Sequence, residues 1–180
     1  DLTDGKYQIS LTPSAGGKDG EPLVLPFWIE PEPFRWSDTP LYMAMTDRFV
    51  DGDGLNPGLI AGVRPDANFR GGDLMGVTQQ IENGYFDRLG VKALWLSPFA
   101  MQPATAHLDQ GGKYLVAAYH GYWPILARKV DDRIGGDDAL QKLVQAAHRH
   151  GIRVLMDAVL NHVHQQPEYF QDPQKRSWFR

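Results

Sequence analysis

The apolar positions of the chain change their spacing in a regular order from residue 41 onward. Nearly continuous apolar runs, typical of buried strands, lie at 41–46, 91–97 and 152–160. Between them, apolar side chains recur at helical spacing in two sets: Val77, Ile81, Tyr85, Phe86 and Leu89, then Ala139, Leu140, Leu143, Val144 and Ala147. Gly90 and Gly151 follow the two sets as helix stops. The pattern predicts strand, loop, helix, strand, loop, helix, strand.

This order indicates the α/β class, because strands that are apolar on both faces need helices to cover them. We expect a parallel sheet with right-handed crossovers and with its chemistry at the carboxyl ends of the strands. Gly84 weakens the first predicted helix at its middle. Three parallel strands leave two bare edges, and a complete (β/α)8 TIM barrel needs about 250 residues. If the sheet belongs to such a barrel, the chain is therefore only its first part, namely the first three β/α units.

Residues 1–36 follow a different pattern. Strand candidates lie at 6–11 and 23–29, the second broken by Pro26, with a glycine-rich turn at 16–20 between them. A proline-rich extended linker follows. We expect this part to be the end of an N-terminal β-sandwich domain plus its linker, and the chain start to be a mature or cut terminus without a signal peptide.

Composition narrows the function classes. The chain has 180 residues, a formal net charge of -4 and no cysteine. Weak acidity argues against a binder of the nucleic-acid backbone, and the lack of cysteine excludes disulfides and thiolate metal sites. No apolar run approaches the roughly 18 residues that a membrane span requires. A flavodoxin-like domain is disfavoured because no glycine-rich phosphate loop follows the first strand.

Polar side chains end the third apolar run, at residues 157–162 (DAVLNH). If the strand continues, Asp157 and Asn161 share one face and His162 lies on the other. A buried carboxylate inside an apolar run is costly unless it is paired, so Asp157 is either a site residue or a structural hydrogen-bonding partner of a neighbouring strand. His162 and His164 could bind zinc, but no third ligand is evident and we expect His164 on the surface.

Three aromatic side chains and a histidine lie together at residues 119–124 (YHGYWP). Aromatic faces suit the C–H faces of sugar rings, and histidine or tyrosine tips can bond to hydroxyl groups. The alternative is a small satellite core under a long loop that runs to about Gly136.

Oxygen-bearing side chains cluster at residues 51–56 (DGDGLN) and at Asp73 after two glycines. Hard cations take six to eight oxygen ligands from such flexible loops. An EF-hand is disfavoured because its twelfth position is Gly62 instead of Glu. A looser calcium site that joins the two segments and a metal-free Asx-rich turn both remain open.

Together these motifs resemble the α-amylase family of glycoside hydrolases. Residues 157–162 resemble its first signature motif, and residues 119–123 its aromatic loop after the second strand. Residues 90–98 (GVKALWLSP) are similar to its second strand. Residues 46–53 with 71–73 are similar to the calcium loop of cyclodextrin glucanotransferases and neopullulanase-like amylases. The resemblance covers about residues 36 to 165.

The resemblance implies a role for each matching residue. Substrate-binding residues would be His120, Tyr122, Trp123, His162 and Asp157, with the Tyr122 ring stacked on the sugar and Asp157 supporting the site. Calcium ligands would be Asp51, Asp53, Asn56, the Gly71 carbonyl and Asp73 at one site and Asn161 at another. Pro57 departs from the family pattern, which has a further Asn or Asp there. The barrel would span 37–162, and 163–180 would begin a domain inserted after the third strand.

The resemblance places the catalytic carboxylates after later strands, so no catalytic residue is assigned in this chain, which alone is expected to be inactive. The implied whole is a secreted or periplasmic, calcium-using, retaining glycosidase acting on α-1,4-glucans, completed by the rest of the barrel in a second chain or in missing sequence. Two alternatives stay open. One is a glucanotransferase or trehalose-forming relative, and the other is a non-catalytic glucan-binding fragment.

Overall fold

The computed structural model describes residues 2–55, 58–164 and 171–179. Its strands, in chain order, are β1 Gly5–Leu11, β2 Ser14–Ala15, β3 Lys18–Asp19, β4 Leu23–Ile29, β5 Leu41–Ala44, β6 Ala93–Leu96, β7 Ala100–Met101, β8 His107–Leu108, β9 Leu115–Val116, β10 Leu126–Val130 and β11 Arg153–Met156. Its α-helices are α1 Thr46–Phe49, α2 Leu74–Glu82, α3 Tyr85–Arg88 and α4 Gly136–Arg149. Short 3₁₀ helices cover Trp36–Asp38, Pro65–Ala67, Asp132–Ile134 and Pro173–Trp178. Asn56, Pro57, Tyr169 and Phe170 lie outside the described residues.

The central sheet is parallel, as the apolar pattern predicts. Its strands lie in the order β11-β6-β5, so the three strands of this sheet lie side by side in the order in which they occur along the chain. In register, Ala93 of β6 faces Leu41 on one side and Arg153 on the other. The carboxyl ends of all three strands therefore meet at one edge of the sheet.

The two faces of the sheet differ. Leu94 and Leu96 are fully buried and pack with Ala44 into the core that α2 and α4 cover. On the opposite face, Met43 and Trp95 lie side by side and remain exposed. Helices thus cover one face of this sheet among the described residues.

The first predicted helix is broken in two. Helix α2 begins after Asp73, whose carboxylate accepts the N–H of Gly76 at 2.6 Å. It ends at Glu82, and Gly84 takes a left-handed φ of 72° before α3 starts. Glycine alone adopts that conformation without a steric penalty, so the residue expected to weaken a helix interrupts it instead.

The third strand is shorter than its apolar run. Strand β11 ends at Met156, and residues 157–160 leave the sheet. Asp157 is consequently partly exposed, which corrects the expectation of a carboxylate buried within a strand.

The long loop after β6 carries structure of its own. Within 98–136, β7 pairs with β10 and β8 pairs with β9, both antiparallel. Apolar spacing did not predict these ladders, because the strands are mostly two residues long and too short to establish a period.

Residues 5–29 form a hairpin, with β1 antiparallel to β4 and the short β2–β3 ladder between them. Pro26 does not break β4 and pairs with Gln8. A two-stranded ribbon leaves one edge of each strand open, and a proline nitrogen on that edge removes no ladder hydrogen bond. Trp28 meets the His148 ring of α4 edge to face, with centroids 5.0 Å apart.

Within the described residues, no helix has the length and apolar character for crossing a membrane.

Candidate functional site

Three loops meet at the carboxyl ends of β5, β6 and β11. The loop after β5 carries the acidic side chains, the loop after β6 carries the aromatic side chains, and Asp157 follows β11 directly. Tyr122 connects the loop after β6 to Asp157. Its phenol donates to the Asp157 carboxylate with a distance of 2.7 Å between oxygens. This bond raises the pKa of Tyr122.

Asp157 binds a second donor that sequence analysis did not assign to the site. The indole Nε1–H of Trp95 donates to the same carboxylate oxygen, Oδ2, over 3.1 Å. Trp95 pairs in register with Leu155, two residues before Asp157. Alternation along the strand therefore puts Trp95 on the side of the sheet to which Asp157 belongs, a signal that the sequence contained.

Both imidazoles of the predicted subsite form hydrogen bonds with the Tyr122 backbone. Nδ1 of His120 accepts the Tyr122 N–H at 3.0 Å, and His162 donates from Nε2 to the Tyr122 carbonyl at 2.9 Å. The rings of His120 and Tyr122 lie nearly parallel, 19° apart in plane, with centroids 6.0 Å apart. Burial lowers the pKa of His120 to about 4, so its imidazole is neutral at ordinary pH.

Trp123 is packed among imidazoles instead of standing free. Its ring meets His120 edge to face at 4.6 Å between centroids and His107 at 5.8 Å. His164 completes the contact at 5.9 Å and is only 9% exposed, so the expectation of a surface His164 is wrong.

The segment after Asn161 turns inward because the His164 N–H bonds to the Pro124 carbonyl at 3.0 Å. Asn161 itself is exposed.

The acidic residues converge as the sequence suggested. One ligand oxygen each of Asp51, Asp53 and Asp73 lies within 4.8 Å of the others, and no other group of three or more His, Asp or Glu side chains among the described residues is this close. Burial raises the pKa of Asp73. The backbone N–H groups of Gly76, Asp53 and Gly52, which donate to its carboxylate, act in the opposite direction and lower this pKa. Three carboxylates at this spacing repel one another unless a bound cation offsets the repulsion. Carboxylate oxygens are the ligands that a hard cation prefers.

The segments around this cluster are tightly apposed. A Cβ on Gly52 would lie 2.2 Å from the Gly76 nitrogen, and one on Gly72 would lie 2.1 Å from the Thr46 carbonyl oxygen. Gly71 donates its N–H to Asp47 at 3.4 Å and precedes Asp73 by two residues. Close backbone approach thus holds the two predicted halves of the cation site together.

Arg48 joins the acidic loop to the aromatic loop, a role that sequence analysis missed. Its guanidinium lies 3.8 Å from the centre of the Tyr119 ring and pairs with the buried Asp47 at 2.6 Å. It also donates to the Asn68 carbonyl at 2.8 Å. Nothing in the local sequence predicts the contact with Tyr119, because Tyr119 is distant in the chain.

A parallel β/α sheet with aromatic, imidazole and carboxylate side chains at its strand ends is the arrangement expected of a fragment of a TIM-barrel enzyme. The family model for the α-amylase catalytic domain matches residues 43–179. The chain belongs to the α-amylase catalytic-domain family.

Known relatives agree with this assignment. The chain is 34% identical to a cyclomaltodextrin glucanotransferase of Paenibacillus macerans over 166 residues, which is 87% of this chain and 23% of the relative. It is 37% identical to the periplasmic α-amylase of Escherichia coli (strain K12) over 135 residues, 72% of this chain and 20% of the relative. The solved α-amylase of Geobacillus thermoleovorans, complexed with acarbose, matches with a TM-score of 0.64 and 32% identity, over 82% of this chain and 28% of that one. The chain thus spans about a quarter of the length of these relatives.

Proposed function

We propose that this chain is part of an α-amylase-type retaining glycoside hydrolase that acts on α-1,4-glucans such as starch and malto-oligosaccharides. In this proposal it contributes sugar-subsite and calcium-binding residues. The observation that carries the proposal is the convergence of Asp157, His120 and His162 on Tyr122 at the carboxyl ends of parallel strands. Relatives of known activity over most of the chain support the same substrate class.

The sugar would stack on Tyr122. The phenol and backbone of this residue are tied at three points, so its ring is preorganised for a flat hydrophobic contact. His120, which is neutral, would bond to sugar hydroxyl groups together with His162, and Trp123 would back the subsite. Asp157 would act mainly through Tyr122, since the phenol and an indole both donate to its Oδ2.

The catalytic carboxylates would come from the rest of the barrel. Retaining glycosidases need two carboxyl groups about 5 to 5.5 Å apart, one as nucleophile and one as acid and base. Asp157 would not be one of them, because its Oδ2 is committed to the Trp95 indole and the Tyr122 phenol. The exposed face with Met43 and Trp95 supports a barrel interior that further strands complete, and the chain alone should not hydrolyse glucan.

A calcium ion would be held by Asp51, Asp53 and Asp73, with Asn56 and the Gly71 carbonyl as further ligands. The three carboxylates fit a hard cation by spacing and by donor chemistry. The ion would supply a fixed positive charge that holds the two loop segments together. Asn161 would serve a second ion beyond the third strand.

The wider organisation follows from the same proposal. Residues 37–162 would be three β/α units of the barrel, 1–36 the end of a β-sandwich domain with its linker, and 163–180 the start of an inserted domain. A secreted or periplasmic location is supported by the periplasmic relative.

A glucanotransferase is the second candidate function, supported by the Paenibacillus relative. Chromatography of the reaction products would distinguish glucan transfer from hydrolysis.

Tyr122→Ala in the enzyme that contains this chain tests the proposal. We expect kcat/KM on malto-oligosaccharides to fall roughly tenfold or more, because the stacking face is lost. Tyr114→Ala is the matched control, since Tyr114 is an exposed tyrosine of the same long loop whose ring lies near the side-chain charges of Arg64 and Lys113. Unchanged turnover in Tyr122→Ala would overturn the subsite.

A further inference from the structure

Resting on the proposed function, we propose that Trp95 is a positioning residue of the sugar subsite. Its indole N–H fixes the carboxylate of Asp157, and that carboxylate holds the phenol of Tyr122. Trp95 would thus act on the substrate through two other side chains without being required to touch it.

The position of Trp95 supports this role. It lies in the middle strand of the sheet, flanked in register by Met43 and Leu155, and is 37% exposed on the face that helices do not cover. Strand pairing on both sides fixes its backbone. Its Nε1 nevertheless reaches beyond the end of β11 to Asp157 over 3.1 Å.

Asp157 needs such an anchor because β11 ends one residue before it. Its carboxylate is bonded, among the described residues, by the Trp95 indole and the Tyr122 phenol, both at Oδ2. Without the indole, the carboxylate has one fewer constraint on its rotation, and the phenol loses a defined acceptor.

The donor chemistry sets what Tyr122 offers to a sugar. An indole N–H can only donate, so Oδ2 of Asp157 acts as an acceptor for both partners. The Tyr122 hydroxyl therefore donates its proton to Asp157 and presents its oxygen lone pairs outward. The phenol is thereby oriented as a hydrogen-bond acceptor for a sugar hydroxyl, beside the ring face that stacks.

Trp95→Phe is the sharpest variant, because it keeps an aromatic ring and removes the N–H. In the enzyme that contains this chain, we expect the Kd for maltotetraose, measured with the catalytic carboxylates mutated, to rise roughly threefold to tenfold. In a Tyr122→Phe background, Trp95→Phe should add less than about twofold, because its target is gone. Met43→Leu, on the same face and in register with Trp95, is the matched control and should leave Kd unchanged.

The outcomes separate this inference from the proposed function. Loss of affinity in Tyr122→Ala together with an unchanged Kd in Trp95→Phe overturns the positioning role alone. Equal losses from Trp95→Phe with and without the Tyr122 hydroxyl also overturn it, since the indole then acts by another route. No effect of Tyr122→Ala overturns the subsite itself. If Trp95→Phe does not fold, Asp157→Asn, which keeps the side-chain shape, should weaken binding only when the Tyr122 hydroxyl is present, and equal weakening in both backgrounds overturns the role.

Discussion

Arg153 and Glu30 form a bidentate ion pair that ties the segment after the N-terminal hairpin to the first residue of β11. The two guanidinium nitrogens lie 2.5 and 2.6 Å from the two carboxylate oxygens. The guanidinium also lies over two rings, 4.0 Å from the centre of Trp28 and 3.9 Å from that of Phe34. The side chains of the pair are only 15% and 18% exposed, so solvent screens the interaction weakly.

Arg153→Lys should destabilise the protein although it keeps the charge. A lysine cannot make the paired hydrogen bonds or the planar stack on the two rings. We expect the free energy of unfolding to fall by about 1 to 3 kcal/mol, measured by urea denaturation. Arg64→Lys is the control, because its pair with Asp66 is well exposed, and it should cost less than about 0.5 kcal/mol. Equal losses in the two variants would contradict the importance of this pair.

The same pair predicts a particular acid sensitivity. The hydrogen bonds and charge of Arg153 lower the pKa of Glu30 below its ordinary value of 4.5. A lowered pKa in the folded state means that the stabilisation is complete above about pH 4.5 and is lost as the pH falls through the folded pKa. Glu30→Gln should therefore be less stable at pH 7 and show a flatter loss of stability below pH 4.5 in denaturation curves. A parallel pH profile in wild type and variant would refute the prediction.

The sequence predicted those parts of the molecule that depend on local periodicity. The parallel order of β5, β6 and β11 and the position of α4 follow from apolar spacing alone. Asp157 and Tyr122 also meet at the carboxyl end of the sheet, where a parallel sheet is expected to carry its chemistry, although the predicted third strand ran through Asp157 to residue 160. The contacts of Trp95 and Arg48 and the burial of His164 were not predicted. The Arg48 contact with Tyr119 and the burial of His164 depend on how the segment 98–136 folds back over the sheet, and its short strands leave no period in the sequence. Strand alternation does place Trp95 on the side of Asp157, but its bond to that carboxylate depends on where β11 ends.

His120 should remain neutral well below neutral pH. Burial lowers its pKa from 6.5 to about 4, since the charged imidazolium would lose its hydration. The folded state therefore binds fewer protons than the unfolded state between pH 4 and 6.5, and its stability decreases as the pH falls through that range. An NMR titration of the imidazole should give a midpoint near 4, identified by its absence in His120→Gln. A midpoint above 6 would contradict the buried, neutral imidazole.

Calcium should stabilise the protein through the acidic cluster. Asp53→Asn removes one of the three charges within 4.8 Å of each other while keeping an oxygen ligand. We expect roughly a tenfold weaker calcium affinity by titration calorimetry and a smaller drop of the unfolding temperature on chelation than in wild type. Asp66→Asn serves as the control, because Asp66 is an exposed acid outside the cluster. Calcium binding that is insensitive to Asp53→Asn would move the ion elsewhere.

Arg48→Lys should loosen the aromatic loop while leaving its sugar-facing residues intact. The guanidinium stacks on Tyr119, next in the chain to His120, and simultaneously bonds to Asp47 and to the Asn68 carbonyl. A lysine retains the ion pair with Asp47 but has no planar surface for the ring and fewer donors for the carbonyl. We therefore expect a several-fold rise in KM for malto-oligosaccharides in the enzyme that contains this chain, with a lower unfolding temperature. Arg64→Lys tests the specificity of this effect, because the Arg64 guanidinium lies 5.8 Å from the Tyr114 ring, outside the predicted subsite. A fall in unfolding temperature without any change in KM would show that Arg48 stabilises the fold without positioning the subsite.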